Sequence, residues 1–91
     1  MSRFAFRISI ETHDQTGQVI AAYFQIRKGK VNVTKEYADG AAFADYDKHG
    51  ELLGIEMLAP CKVSVLDKIA QKTEVKRFVR GVVPRAMLVT A

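Results

Sequence analysis

Ninety-one residues, 48% of them hydrophobic, are enough for one domain with a thin core, and they are too well patterned for a disordered chain. The only cysteine, Cys61, excludes an internal disulfide, and the longest apolar run, Val19–Phe24, is far too short to cross a bilayer. The formal charge of +4 is unevenly placed: residues 1–60 carry −1 and residues 61–91 carry +5, an asymmetry that points to an acidic protein partner, to nucleic acid, or to the solvated face of a basic helix.

Arg3 and Arg7 interrupt the apolar residues at the start, and no signal-peptide core follows, so a cytoplasmic protein without a membrane segment is expected. Phe4, Phe6, Ile8 and Ile10 alternate with polar or small residues, the period of a half-buried strand. Thr12–Gln18 is turn sequence, with Asp14 and Gly17 suited to its tight positions. A second strand follows over Val19–Arg27, and Gly29 turns the chain within Lys28–Lys30. Val31, Val33 and Tyr37 mark a third, more polar strand, expected nearer an edge. After the turn at Ala38–Gly40, Ala41–Asp47 and Glu51–Leu58 read as a hairpin around Lys48–Gly50.

Pro60 closes the β region, because it lacks an amide hydrogen. Beyond it the period becomes helical. Ser64–Asp67 resembles a capping box, with Val65, Leu66 and Ile69 on one face. Thr73 is placed to cap a second helix with the apolar stripe Val75, Phe78, Val79 and Val82, ending near Gly81 and Pro84. Lys72, Lys76 and Arg80 recur every fourth residue on the opposite side. Residues 84–91 fit a helical turn or a strand equally well. The expected architecture is α+β: an antiparallel sheet of about five strands in hairpin succession, then one or two C-terminal helices packed on it. A single domain over residues 1–91 is expected, with the sheet in 1–60 and the basic helical segment in 61–91.

The stretch DYDKHGELLGIE at positions 45–56 has the ligand spacing of a calcium-binding EF-hand loop, with glycine sixth and glutamate twelfth. Its context argues against that chemistry. His49 holds the fifth place, where a hard cation prefers oxygen, and Leu53 the ninth; the flanks are short and one ends in proline. Asp47–Gly50 is good sequence for a type I turn followed by a glycine bulge. That register pairs Asp47 with Glu51, Asp45 with Leu53, Phe43 with Ile55 and Ala42 with Glu56, placing Asp45 and Glu56 on opposite faces. Phe43, Leu53, Ile55 and Met57 then share one face, and Ala42, Ala44, Tyr46, Leu52, Gly54 and Leu58 the other. Two apolar faces suggest a central pair covered on both sides, with the small residues making room for a helix.

The same stretch resembles the signature Y-D-x-x-G-x-x-x-G-I-E-x-L of the small bacterial domain-of-unknown-function family 2283. Tyr46, Asp47, Gly50, Gly54, Ile55, Glu56 and Leu58 fit it position by position, and upstream Thr34 and Glu36 match a T-x-E stretch. The similarity spans roughly residues 8–60; the HDQTGQVI segment and the basic tail depart from it. It implies a compact β-rich α+β domain, with no activity, cofactor or catalytic residue attached. Some such proteins resemble the partner component of a bacterial stress or toxin–antitoxin-like pair.

No phosphate loop, dinucleotide fingerprint or paired-cysteine motif occurs, so neither cofactor nor metal is expected. His13 and His49 fall in turns, and neither Ser9 nor Ser64 has a neighbouring base, so no enzyme is expected. Cys61 precedes Lys62, which favours the thiolate, while a lone cysteine after a strand is more often an inert half-buried thiol. Glu56 sits in an apolar stretch and, if buried, needs a cation such as Arg77 or Arg80. The sequence thus favours a non-enzymatic protein-interaction module acting as a homodimer, whose partner surface is Lys72, Lys76, Arg77 and Arg80. The alternatives are nucleic-acid binding through the same residues, which lacks stacking aromatics, and a small-ligand or enzymatic role.

Overall fold

A computed structural model of the protein describes residues 4–88. Five strands form one antiparallel sheet: β1 (Arg7–Thr12), β2 (Val19–Gln25), β3 (Val33–Tyr37), β4 (Ala42–Tyr46) and β5 (Leu52–Leu58). Helices α1 (Val63–Ala70) and α2 (Thr73–Val82) follow, so the expected α+β arrangement is observed. Across the sheet the order is β1-β2-β5-β4-β3. Three of the connections are hairpins between neighbours, while the link from β2 to β3 passes β5 and β4, leaving β5 in the middle of the sheet.

The turns form for local reasons. In the first hairpin Gly17 takes φ +71, and His13 Nδ1 accepts the amides of Gln15 and Thr16, so this histidine holds the turn. Ala38, Asp39 and Gly40 all adopt left-handed φ between β3 and β4. At the β4–β5 hairpin Gly50 takes φ +82 and its amide donates to Asp47 O, while Asp47 N–H donates to Glu51 O, the expected type I turn and glycine bulge. Asp47 Oδ1 also accepts the amides of His49 (2.8 Å) and Glu51 (2.9 Å). Those bonds, the Glu51 amide foremost, hold its carboxyl below the usual range.

Just past this turn the register departs from expectation. Tyr46 pairs with Leu52, but Asp45 pairs with Gly54, Ala44 with Ile55 and Phe43 with Glu56. The extra residue is Leu53, whose side chain packs against Gly29 of the β2–β3 connection. Every later residue of β5 changes face as a result. Asp45 and Glu56 therefore share a face, contrary to the opposite faces expected from the turn's register. Strands β4 and β5 flank the loop where an EF-hand needs helices. Among the described residues no group of three His, Cys, Asp or Glu side chains is placed to hold a metal ion.

The helices cover one face only, so the hairpin is not sandwiched as the sequence suggested. Under them lie Ala22, Phe24 and Ile26 of β2 and its extension, Ala42 and Ala44 of β4, and Ile55 and Met57 of β5. Leu66, Ile69, Val75 and Val79 descend from the helices, and each is at most 3% exposed. Burying side chains of this size contributes roughly 1.5–3 kcal/mol each. Phe78 meets Phe24 edge-on at 6.3 Å and stacks on Phe6 at 4.4 Å, tying α2 to the β1 side of the sheet.

Two expected helix caps do not form. Val63 already begins α1, so Ser64 lies inside it, and Thr73 is the first helical residue of α2; extended Lys62 and Lys72 precede them without a side-chain cap bond. Gly81 lies within α2, which ends after Val82 because Pro84 favours an extended Val83. The undecided tail resolves as a 3-10 turn, Arg85–Met87, followed by a parallel bridge from Leu88 to Cys61. Met87 is fully buried. Arg3, ahead of the first strand, and residues 89–91 of the tail lie outside the described residues.

Candidate interaction face

The alternation that buries one face of the sheet exposes the other. Side chains directly opposite each other share a face. The pairs Ser9–Tyr23, Tyr23–Glu56, Glu56–Phe43 and Phe43–Glu36 therefore run from edge to edge on the uncovered side. Leu58, 37% exposed, stands there beside Ala21. Among the described residues the charged groups on this face are mostly carboxylates: Glu11, Glu36, Asp45 and Glu56 against Arg7 alone. The helical layer on the far side carries Lys72, Lys76, Arg77 and Arg80. The charge asymmetry along the sequence thus becomes a polarity between the two sides of the molecule.

A hydrogen-bonded chain crosses the uncovered face. Tyr23 leans over Gly54, where a β-carbon would come within 1.9 Å of its hydroxyl oxygen. Only glycine leaves room for the ring to pass over β5. The hydroxyl donates to Asp45 Oδ2 at 2.9 Å, and Thr34 Oγ1 donates to Asp45 Oδ1 at 2.6 Å. Burial, reinforced by the Asp45 carboxylate, pushes the Tyr23 hydroxyl well above its ordinary pKa. A phenol held this firmly protonated joins β2 to β4 as a donor and is no general base at neutral pH, while the Thr34 hydroxyl ties β3 to the same carboxylate. On the covered side the Tyr37 and Tyr46 hydroxyls lie 2.9 Å apart, and burial likewise raises the Tyr46 pKa.

Glu56 is exposed on the uncovered face, remote from the cations assigned to it, because the bulge at Leu53 turned it outward. It is not a buried structural charge. Arg80 instead donates through Nε to Asp67 Oδ1 at 3.0 Å and through its terminal nitrogen to Oδ2, joining α2 to α1. That guanidinium holds the Asp67 carboxyl below the usual range. Lys72 approaches Glu51 at 3.9 Å, and Arg27 reaches the same carboxylate at 3.4 Å. Of the four predicted surface cations, Lys76 and Arg77 alone make no ion pair among the described residues. Asp45, weighed from the sequence only as the first place of a calcium loop, and Tyr23, which the sequence did not single out, both belong to this face; the tyrosine–glycine–aspartate relation appears only when β2, β5 and β4 are adjacent.

Cys61 is 2% exposed, and burial raises its pKa, so the thiolate that Lys62 would favour does not form readily. The hollow between the β4–β5 turn and the α1–α2 junction measures about 130 Å³ and is lined by Ile26, Arg27, Tyr46, Glu51, Ile69 and Lys72. Larger depressions of about 390 Å³ lie open among surface turns, one beside Lys48 and His49 and one beside His13. No helix is long and apolar enough to cross a membrane among the described residues. The chain matches no family model, no curated protein and no solved structure.

Proposed function

We propose that the protein is a non-enzymatic protein-interaction module, working as a homodimer, whose uncovered sheet face receives a basic partner. The observation that carries this reading is the uncovered face itself: Phe43 and Leu58 lie among Glu11, Glu36 and Glu56 on a surface that no helix shields. An apolar centre rimmed by charge of one sign is the usual anatomy of a protein-binding patch. The same charge opposes stacking this face on its own copy, since carboxylates would meet carboxylates. The face therefore suits a cationic partner, and the homodimer needs another surface. A role as one component of a stress or toxin–antitoxin-like pair in a bacterium fits this picture, as does the resemblance of Tyr46–Leu58 to family 2283.

Nucleic-acid binding through α2 is the second reading. Lys72 and Arg80 already lie against Glu51 and Asp67, which leaves Lys76 and Arg77 as its main resource. The readings separate in one experiment. Partners captured by the native protein are compared with those captured by Phe43→Asp/Leu58→Lys and by Lys76→Glu/Arg77→Glu. A basic protein lost only with the sheet variant supports the proposal. Nucleic acid captured in a salt-sensitive manner and lost only with the helix variant overturns it.

A further inference from the structure

The sheet ends in two edges, β1 on one side and β3 on the other, and no described strand pairs with the outer side of either. Open edges invite pairing with another chain unless something blocks it. β3 carries such a block. Laid antiparallel on a copy of itself in the fullest register, it sets Lys35 directly against Lys35, an unfavourable like-charge opposition.

β1 has the opposite character, and the backbone selects its register. Ala59 N–H donates to Ile20 O at 3.0 Å and Ile26 N–H to Leu53 O at 2.8 Å, so even-numbered residues of β2 bond toward β5. Its odd-numbered residues, Ala21, Tyr23 and Gln25, then bond toward β1, where their opposite numbers are Glu11, Ser9 and Arg7. Those three point their amides and carbonyls inward, and Ile8 and Ile10 present theirs to the outer edge. A copy related by a two-fold axis through Ser9 matches this pattern. Ile8 of each chain exchanges backbone hydrogen bonds with Ile10 of the other, Arg7 faces Glu11 twice, and the isoleucines meet on the helix side.

Three further observations favour this edge. Ile10 is 48% exposed and neighbouring Phe6 39%, an apolar flank left open on the helix side. Neither Arg7 nor Glu11 makes an ion pair among the described residues. The extra residue of the β1–β2 ladder is Ile20, so β1 itself stays regular from Arg7 to Thr12.

We infer that two copies of this chain join by antiparallel pairing of β1 with β1 about Ser9, forming one continuous sheet closed by reciprocal Arg7–Glu11 pairs. This rests on the homodimer reading above and gives it a geometry. Both helical layers then lie on the same side, and the two uncovered acidic faces merge into one surface.

The test measures mass by sedimentation equilibrium and cross-linking under mild oxidation. The wild type should sediment at twice the chain mass of 10.1 kDa. Ser9→Cys should give a covalent dimer, because residues opposite each other in a non-hydrogen-bonded pair bring their Cα atoms to about 4.5 Å. The native thiol, Cys61, is buried and does not compete. Lys35→Cys, on the other edge, should stay uncross-linked. Glu11→Arg should weaken association by about tenfold, and Arg7→Glu/Glu11→Arg should restore it. Within one strand these residues stand roughly 13 Å apart, so rescue reports only the contact between chains. A wild type that is monomeric at every concentration overturns both the inference and the homodimer reading. A dimer that ignores Glu11→Arg and leaves Ser9→Cys unlinked overturns the β1 geometry while the homodimer stands.

Discussion

On its helix side the sheet is held by close packing: Phe24, Ile55 and Met57 are fully buried beneath Leu66, Val75 and Val79. On the other side the same strands are joined by the hydrogen-bonded chain from Tyr23 over Gly54 to Asp45 and Thr34. Packing is non-directional and tolerates no cavity, whereas the polar chain depends on direction and on one missing β-carbon. The covered face therefore carries most of the stability, and the uncovered face fixes how β2, β5, β4 and β3 align. That division leaves the uncovered side chains free to serve recognition.

Substitutions on each face measure the contrast. Ile55→Ala should cost about 2–5 kcal/mol in denaturant unfolding, because it removes buried methyl groups and leaves a cavity. A loss under 1 kcal/mol would mean that the covered face is not the main source of stability. Gly54→Val should cost about 1–3 kcal/mol, since its β-carbon displaces Tyr23 and leaves Asp45 without that donor. The companion Tyr23→Phe/Gly54→Val should recover none of it, because the ring carbons Cζ and Cε2 still clash with the new β-carbon; a double variant as stable as Tyr23→Phe alone would mean that the hydroxyl was the sole obstacle.

Tyr23→Phe alone should cost about 1 kcal/mol. It also tests a pH dependence. Because the folded state raises the Tyr23 pKa, its contribution is complete below the ordinary tyrosine value of about 10 and is lost as pH rises through the folded value. Stability should thus fall above about pH 10, and less steeply in Tyr23→Phe; equal slopes would sink the assignment. Burial raises Tyr46 as well, so some alkaline loss should remain in that variant.

The smallest effect is expected in acid, on the exposed layer. Arg80 lowers the Asp67 pKa, so that contribution is present above the ordinary carboxylate value of about 3.9 and disappears as pH falls through the folded value. Asp67→Asn should flatten the acid limb of the melting curve slightly and leave the melting temperature near neutrality almost unchanged, as exposed ion pairs contribute little.

Local pattern made the elements legible. Period-two runs marked the strands, Asp47–Gly50 spelled its turn, and the change of period after Pro60 located the helices. The side that each residue of β5 faces was not legible, because Leu53 and its neighbours are apolar in either register and no local rule chooses between them. The bulge decides it, and with it the exposure of Glu56 and the company of Asp45. The start of α1 was misplaced by two residues and that of α2 by one, because Ser64 and Thr73 are acceptable inside a first turn as well as before it.

What the sequence by itself determined was the list of elements, their hairpin turns, and the separation of charge between the first sixty residues and the rest. Only the tertiary structure decided that β5 lies between β2 and β4, that the helices cover one face, and that the carboxylates gather on the other. Turns and periodicity arise from residues within a few positions of one another. Strand order and register depend on pairing between segments some thirty residues apart, as between Phe24 and Ile55, where burial on a shared face outweighs any local preference.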